Sequence, residues 1–197
     1  EKSQLRLKLE NAYFETRKPD GQMDMAFAGK AEPLLVDLKD PRSRKTRPST
    51  MTNDGYGYVD VFSGFENVDG GRGNDTMSGG LGNDVLTGGN GGDRFIVQAG
   101  ANASITDLGL GGADSLEVDS GGAVTAAVSR AWIATTTTFN NGRVTLNSTG
   151  QSINLSSITA GSNGFEIINR GTAAAFMGSA LADTLVGSSG NDTLTGF

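Results

Sequence analysis

The sequence predicts an all-β chain, wound as a parallel roll of short strands with antiparallel segments at its flanks. Three observations lead there. Glycine supplies 30 of 197 residues against four prolines, about twice the usual share and without the three-residue period of collagen. From Asp75 to Phe95 an Asp and a large apolar residue recur together every nine positions. Further on, Thr and Val are frequent and Asn140-Asn141-Gly142 interrupts them, as strands and turns do.

The nine-residue units are contiguous. Gly70-Gly71-Arg72-Gly73-Asn74-Asp75-Thr76-Met77-Ser78 is followed by Gly79-Gly80-Leu81-Gly82-Asn83-Asp84-Val85-Leu86-Thr87. Gly88-Gly89-Asn90-Gly91-Gly92-Asp93-Arg94-Phe95-Ile96 is the third. All fit G-G-x-G-x-D-x-U-x, with U large and apolar. Six residues make a turn and three a short strand. Glycines permit φ > 0 and let carbonyls crowd together; the Asp adds a carboxylate. Candidate metal ligands are therefore Asp75, Asp84 and Asp93, with Gly70, Arg72, Gly73, Gly79, Leu81, Gly82, Gly88, Asn90 and Gly91 around them. Oxygen ligands in flexible geometry suit Ca²⁺ better than Mg²⁺. The apolar residue points inward. Two units make one coil of about 18 residues, so alternate turns stack and share an ion, as the repeat pattern requires. Met77 and Phe95 then belong to one sheet and Leu86 to the facing one.

These units resemble the hemolysin-type calcium-binding repeat of RTX proteins, which implies a parallel β-roll and bound Ca²⁺. A flexible glycine-rich linker has no reason to keep Asp and an apolar residue at period nine. Weaker units flank the strong ones. Gly55 to Ser63 carries Asp60, Gly109 to Glu117 carries Asp114, and Gly178 to Thr195 carries Asp183 and Asp192. Asp69, just before the first unit, joins the candidate ligands. The run Ile105-Thr106-Asp107-Leu108 resembles the segment that ends many RTX blocks, which implies that Asp107 ligates the last ion.

A longer repeat is also present. Gly64-Phe65-Glu66-Asn67-Val68 recurs as Gly164-Phe165-Glu166-Ile167-Ile168, and the units around Asp75 to Thr87 recur around Asp183 to Thr195. With Val36-Asp37-Leu38 and Asp54-Gly55-Tyr56-Gly57 upstream, this resembles the tandem modules of large secreted RTX adhesins and surface-layer-like proteins. The expected division is a hairpin and basic loop over 1–50, a roll over 51–118, an antiparallel segment over 119–163 and a second, shorter roll over 164–197. A chain that begins without Met and stops inside a repeat reads as part of a longer polypeptide or a processed product.

Residues 3–28 read as a hairpin, with Leu5, Leu7 and Leu9 alternating on one arm, Met23, Met25 and Phe27 on the other, and Pro19-Asp20-Gly21 between; a helix over 3–17 also fits Leu5, Leu9, Ala12 and Tyr13. Either the hairpin caps the sheet or its edge pairs with another copy or a neighbouring module. The basic run from Asp40 to Thr50 reads as a solvated loop or a contact for anionic surface polysaccharide or an acidic roll. Over 123–158 the expectation is antiparallel strands, with hairpin turns at Asn140-Asn141-Gly142 and Ser148-Thr149-Gly150. Trp132 reads as core, with carbohydrate stacking as the other reading.

Composition excludes much. Without histidine or cysteine there is no His-containing catalytic triad, no His- or Cys-bound zinc and no disulfide. No run of 18 apolar residues spans a membrane. Residues 1–50 carry a net charge of +3 and residues 51–197 a net charge of −9, which disfavours nucleic acid. The expectation is a non-catalytic, calcium-binding structural module of a secreted bacterial cell-surface protein. A non-catalytic RTX region of a secreted enzyme and a carbohydrate-binding adhesin module are the alternatives.

Overall fold

The computed structural model describes residues 67–196 in full. Upstream it describes the backbone of five strands: β1 (Ala12–Arg17), β2 (Met23–Phe27), β3 (Leu35–Asp37), β4 (Met51–Thr52) and β5 (Val61–Ser63). Strands β1 and β2 pair antiparallel, Ala12 opposite Phe27, as the turn signal between them predicts. Leu5, Leu7 and Leu9, the basic loop over 40–50 and Asp60 lie outside the described residues.

The coil then proceeds through β6 (Asn67–Asp69), β7 (Thr76–Ser78), β8 (Asn83–Thr87), β9 (Arg94–Val97), β10 (Asn102–Leu108) and β11 (Ser115–Val118). It continues through β12 (Ala123–Val128), β13 (Trp132–Ile133), β14 (Phe139–Asn140), β15 (Arg143–Ser148), β16 (Ile153–Asn154) and β17 (Ala160–Gly161). It ends with β18 (Glu166–Asn169), β19 (Ala175–Met177), β20 (Thr184–Val186) and β21 (Thr193–Thr195). One sheet runs β20-β18-β15-β12-β10-β8-β6-β4 and the facing sheet β17-β14-β11-β9-β7-β5-β3; a third runs β13-β16-β19-β21. Pairing within these sheets is parallel. Among the described residues no helix is long and apolar enough to cross a membrane.

Apolar residues form rows along the coil axis. Met77 stacks on Phe95 and Phe95 on Leu116 in one sheet. Val68, Leu86, Ile105, Ala126, Leu146 and Ile167 succeed one another in the facing sheet. All are buried. The expected alternation of Met77 and Phe95 against Leu86 is what the structure has. Each unit contributes one inward side chain, so the core exists only where coils stack.

The antiparallel reading of 123–158 is corrected: β12 pairs with β15 in parallel, Val124 opposite Val144, and β14 pairs with β17 in parallel. Asn141-Gly142 does turn the chain, but from β14 in one sheet to β15 in another. Ser148 to Gly150 likewise leads from β15 to β16 in the third sheet. Alternating burial gives the same residue pattern in both cases and carries no information on strand direction. Coil length explains the third sheet. Coils are 18 residues long at Met77 to Phe95, lengthen to 23 at Ile153 to Phe176, and return to 18 at Phe176 to Leu194. The added residues form a third short face, along which Trp132, Ile153, Phe176 and Leu194 are in register, the first three buried and Leu194 exposed.

Candidate metal centre

The turns 70–75, 88–93 and 109–114 lie on one side of the roll, each leading from the first sheet to the facing one. Glycine is required at the second and fourth positions of the first two. Gly71 and Gly89 have φ of 83° and 91°, Gly73 and Gly91 of 115° and 147°, a region that side-chain-bearing residues rarely adopt. The turns stack closely: Asn90 N–H donates to Gly71 O (2.7 Å), Gly73 N–H to Asn90 O (2.8 Å) and Gly92 N–H to Asn74 Oδ1 (2.7 Å). Arg72 bridges to Asn90 in parallel.

The aspartates form a ladder. Asp93 Oδ1 accepts the N–H of Asp75 at 2.9 Å, and Asp114 Oδ1 accepts the N–H of Asp93 at 2.8 Å. All three are buried. Asp93 Oδ2 is buried with no hydrogen-bond partner among the described residues, a costly arrangement for an ionised oxygen unless a cation meets it. At Gly70 the missing Cβ leaves a cradle whose nearest atoms are Asp75 Oδ2, 2.6 Å from where a Cβ would sit, and Gly88 O at 2.7 Å. A carboxylate and a carbonyl from successive turns thus converge on one gap. Among the described residues no three acidic side chains gather at one point, so a cation here draws many of its oxygens from the backbone, as Ca²⁺ accepts. The residues between turns 70–75 and 88–93 fit Ca²⁺, with Asp75, Asp93 and Gly88 O the groups best placed to hold it.

Asp107, at the end of β10, joins this side without facing the gap directly. Its Oδ1 accepts Gly88 N–H at 2.8 Å and its Oδ2 accepts Gly89 N–H at 2.7 Å. Asp69 accepts the N–H of Gly71, while burial and the charge of Asp107 raise its pKa. The turn 109–114 closes the stack. Asp114 Oδ2 takes Gly109 N–H at 2.6 Å, and the Trp132 indole donates to Asp114 O at 3.1 Å. Trp132 is buried, so it is core, and it caps the last of these turns. Nothing in the nonapeptide pattern points to that contact.

Asp84 sits on the opposite side, buried at the start of β8 with Gly79 packed against its carboxylate. Leu81 exposes its side chain, leaving only its backbone to the turn, and Gly82 O accepts Asn102 N–H at 2.8 Å. The next turn on that side, 98–101, has no acid and is closed by Ala101 N–H on Gln98 O.

Asp183 and Asp192 have different surroundings. Asp183 Oδ1 accepts Phe165 N–H, and its Oδ2 accepts both Ser179 N–H and Ser179 Oγ–H. Asp192 Oδ1 accepts Ala174 N–H and Asn169 Nδ2–H, and its Oδ2 accepts Ser188 N–H. These donors, that of Ala174 foremost, hold Asp192 below the ordinary carboxylate range.

Burial acts in the opposite direction in the central stack. It pushes Asp93 up to about 6 and Asp114 up to about 7, from an ordinary 3.8, with the Asp107 charge adding to the rise. Without a cation, the folded chain therefore binds more protons than the unfolded chain between roughly pH 4 and pH 7, and its stability falls as pH rises through that window. Thermal melts in chelator should give a higher melting temperature at pH 5 than at pH 8.

Comparison with known families agrees with this geometry. The family model of the RTX calcium-binding nonapeptide repeat matches in four copies, over residues 60–101 and 177–197. No curated protein and no solved structure matches the chain.

Proposed function

We propose, on the premise that this chain is an RTX repeat protein, that it is a calcium-binding structural module of a secreted bacterial cell-surface protein such as an adhesin, surface layer or extracellular filament. The observation that carries this reading is the buried Asp93 Oδ2, which meets no hydrogen-bond partner among the described residues, in a stack of glycine turns. The module is non-catalytic, in keeping with a chain that has no histidine and no cysteine. Calcium neutralises the aspartate ladder and ties successive turns together, so binding free energy becomes folding free energy. Extracellular calcium modules bind with Kd of roughly 10⁻⁴–10⁻³ M. Such a module stays loose where calcium is scarce and stiffens outside the cell.

Far-UV circular dichroism with light scattering tests this, in a titration from chelator to about 10 mM Ca²⁺, above the usual range for such modules. A cooperative gain of β signal is expected, with scattering rising in step if modules associate through their sheet edges. A spectrum that does not change with calcium contradicts the reading.

A further inference from the structure

The second residue of a nonapeptide offers a backbone N–H to its turn, and in the four turns around Asp75, Asp93, Asp183 and Asp192 the structure sends that N–H to two different destinations. In turns 70–75 and 88–93 it goes to an acid outside the turn: Gly71 donates to Asp69 and Gly89 to Asp107. Asp107 also takes the Gly88 N–H, and Asp93 Oδ2 is left with no donor among the described residues. In the C-terminal turns the same N–H goes to the turn's own aspartate. Ser179 N–H reaches Asp183 Oδ2 at 2.5 Å and Ser188 N–H reaches Asp192 Oδ2 at 2.6 Å. The hydroxyls reinforce this, Ser179 Oγ lying 2.9 Å from Asp183 Oδ2 and Ser188 Oγ 3.4 Å from Asp192 Oδ2.

We propose that the nonapeptides fall into two classes, open turns around Asp75 and Asp93 that take Ca²⁺, and turns around Asp183 and Asp192 that protein donors close and that fold without metal. The residues at Asp183 and Asp192 do not fit the ion that the family match over 177–197 implies: each carboxylate oxygen is already met by protein donors. Asp69 and Asp107 are positioning residues that keep the open turns open. The coils between the two classes are also closed by side chains. Asn140 Nδ2–H donates to Gly164 O, Ser148 Oγ–H to Gln151 O and Asn169 Nδ2–H to Thr172 O. The C-terminal half is then a preformed scaffold, and calcium orders the open turns onto it.

This inference rests on calcium binding at the central stack. Bound calcium per chain, measured by equilibrium dialysis with ⁴⁵Ca²⁺, tests both. The double variant Asp183→Ala, Asp192→Ala should bind as many ions as the unsubstituted chain, and Asp93→Ala should bind fewer. Hydrogen exchange of the unsubstituted chain in chelator should leave amides over 123–186 protected and those over 70–97 exposed, so the test does not depend on a variant that fails to fold. Loss of ions in the double variant, or calcium-dependent protection extending evenly to residue 196, overturns the two classes. No bound calcium in the unsubstituted chain overturns the calcium module itself.

Discussion

Asp93→Asn should reverse the order of stability between calcium and chelator. The amide keeps an acceptor for the Asp75 N–H, which Asp93 Oδ1 now takes at 2.9 Å. It loses the charge that a cation requires, and its NH₂ group would lie against Gly88, where Asp93 Oδ2 now packs. At a calcium concentration of 100 Kd, one native site adds about 2.7 kcal/mol by mass action. The variant should forgo most of that, and its calcium midpoint should rise more than tenfold. In chelator the sign changes. The native carboxylate is buried beside Asp107 and raised to about 6, so removing its charge removes repulsion and desolvation cost. Thermal melts of both proteins in 10 mM Ca²⁺ and in chelator check the crossing, at a concentration about tenfold or more above the usual Kd range. A variant less stable than the native chain in both conditions would contradict it.

Phe95→Ala should cost about 3–5 kcal/mol in saturating calcium. Phe95 is fully buried, stacked between Met77 and Leu116, and its ring lies against Gly88 at the start of the open turn. A loss of that size is a large part of the roughly 5–15 kcal/mol that holds a domain folded. The rigid backbone rows on either side cannot collapse into the space without breaking parallel pairing. Val85→Thr, at a side chain on the outer face, should stay within about 0.5 kcal/mol. Urea unfolding of both variants, with Ca²⁺ present throughout, measures the difference.

The roll was legible because its period is short and each position has one physical task. Glycine at positions two and four marks positive φ, and the eighth position marks the inward row, so Met77, Leu86 and Phe95 fall on the expected sheets. Beyond Val118 that legibility fails for a physical reason. Coils of 20–23 residues have no fixed period, and Val144, Leu146 and their neighbours alternate as they would in a hairpin. Strand direction and the third sheet depend on which coil stacks on which, and local pattern does not encode that. The site was half legible. Asp75 and Asp93 stack as the 18-residue coil requires. The contacts that decide how each turn is closed come from residues outside the nonapeptide pattern: Asp107, which accepts the Gly88 and Gly89 N–H groups, Trp132, whose indole donates to the Asp114 carbonyl, and the serines that replace glycine at 179 and 188. A Ser in place of Gly looks like drift until its hydroxyl is seen on Asp183.

Direct calcium binding is the central claim, and isothermal titration of the chelator-stripped chain with Ca²⁺ tests it most directly. Saturable binding with a midpoint of roughly 10⁻⁴–10⁻³ M, with fewer ions and a midpoint raised more than tenfold in Asp93→Asn, is the predicted result. No saturable heat in the native chain, or the same isotherm in both proteins, would mean that the Asp75–Asp93 gap is a glycine turn held by protein contacts alone.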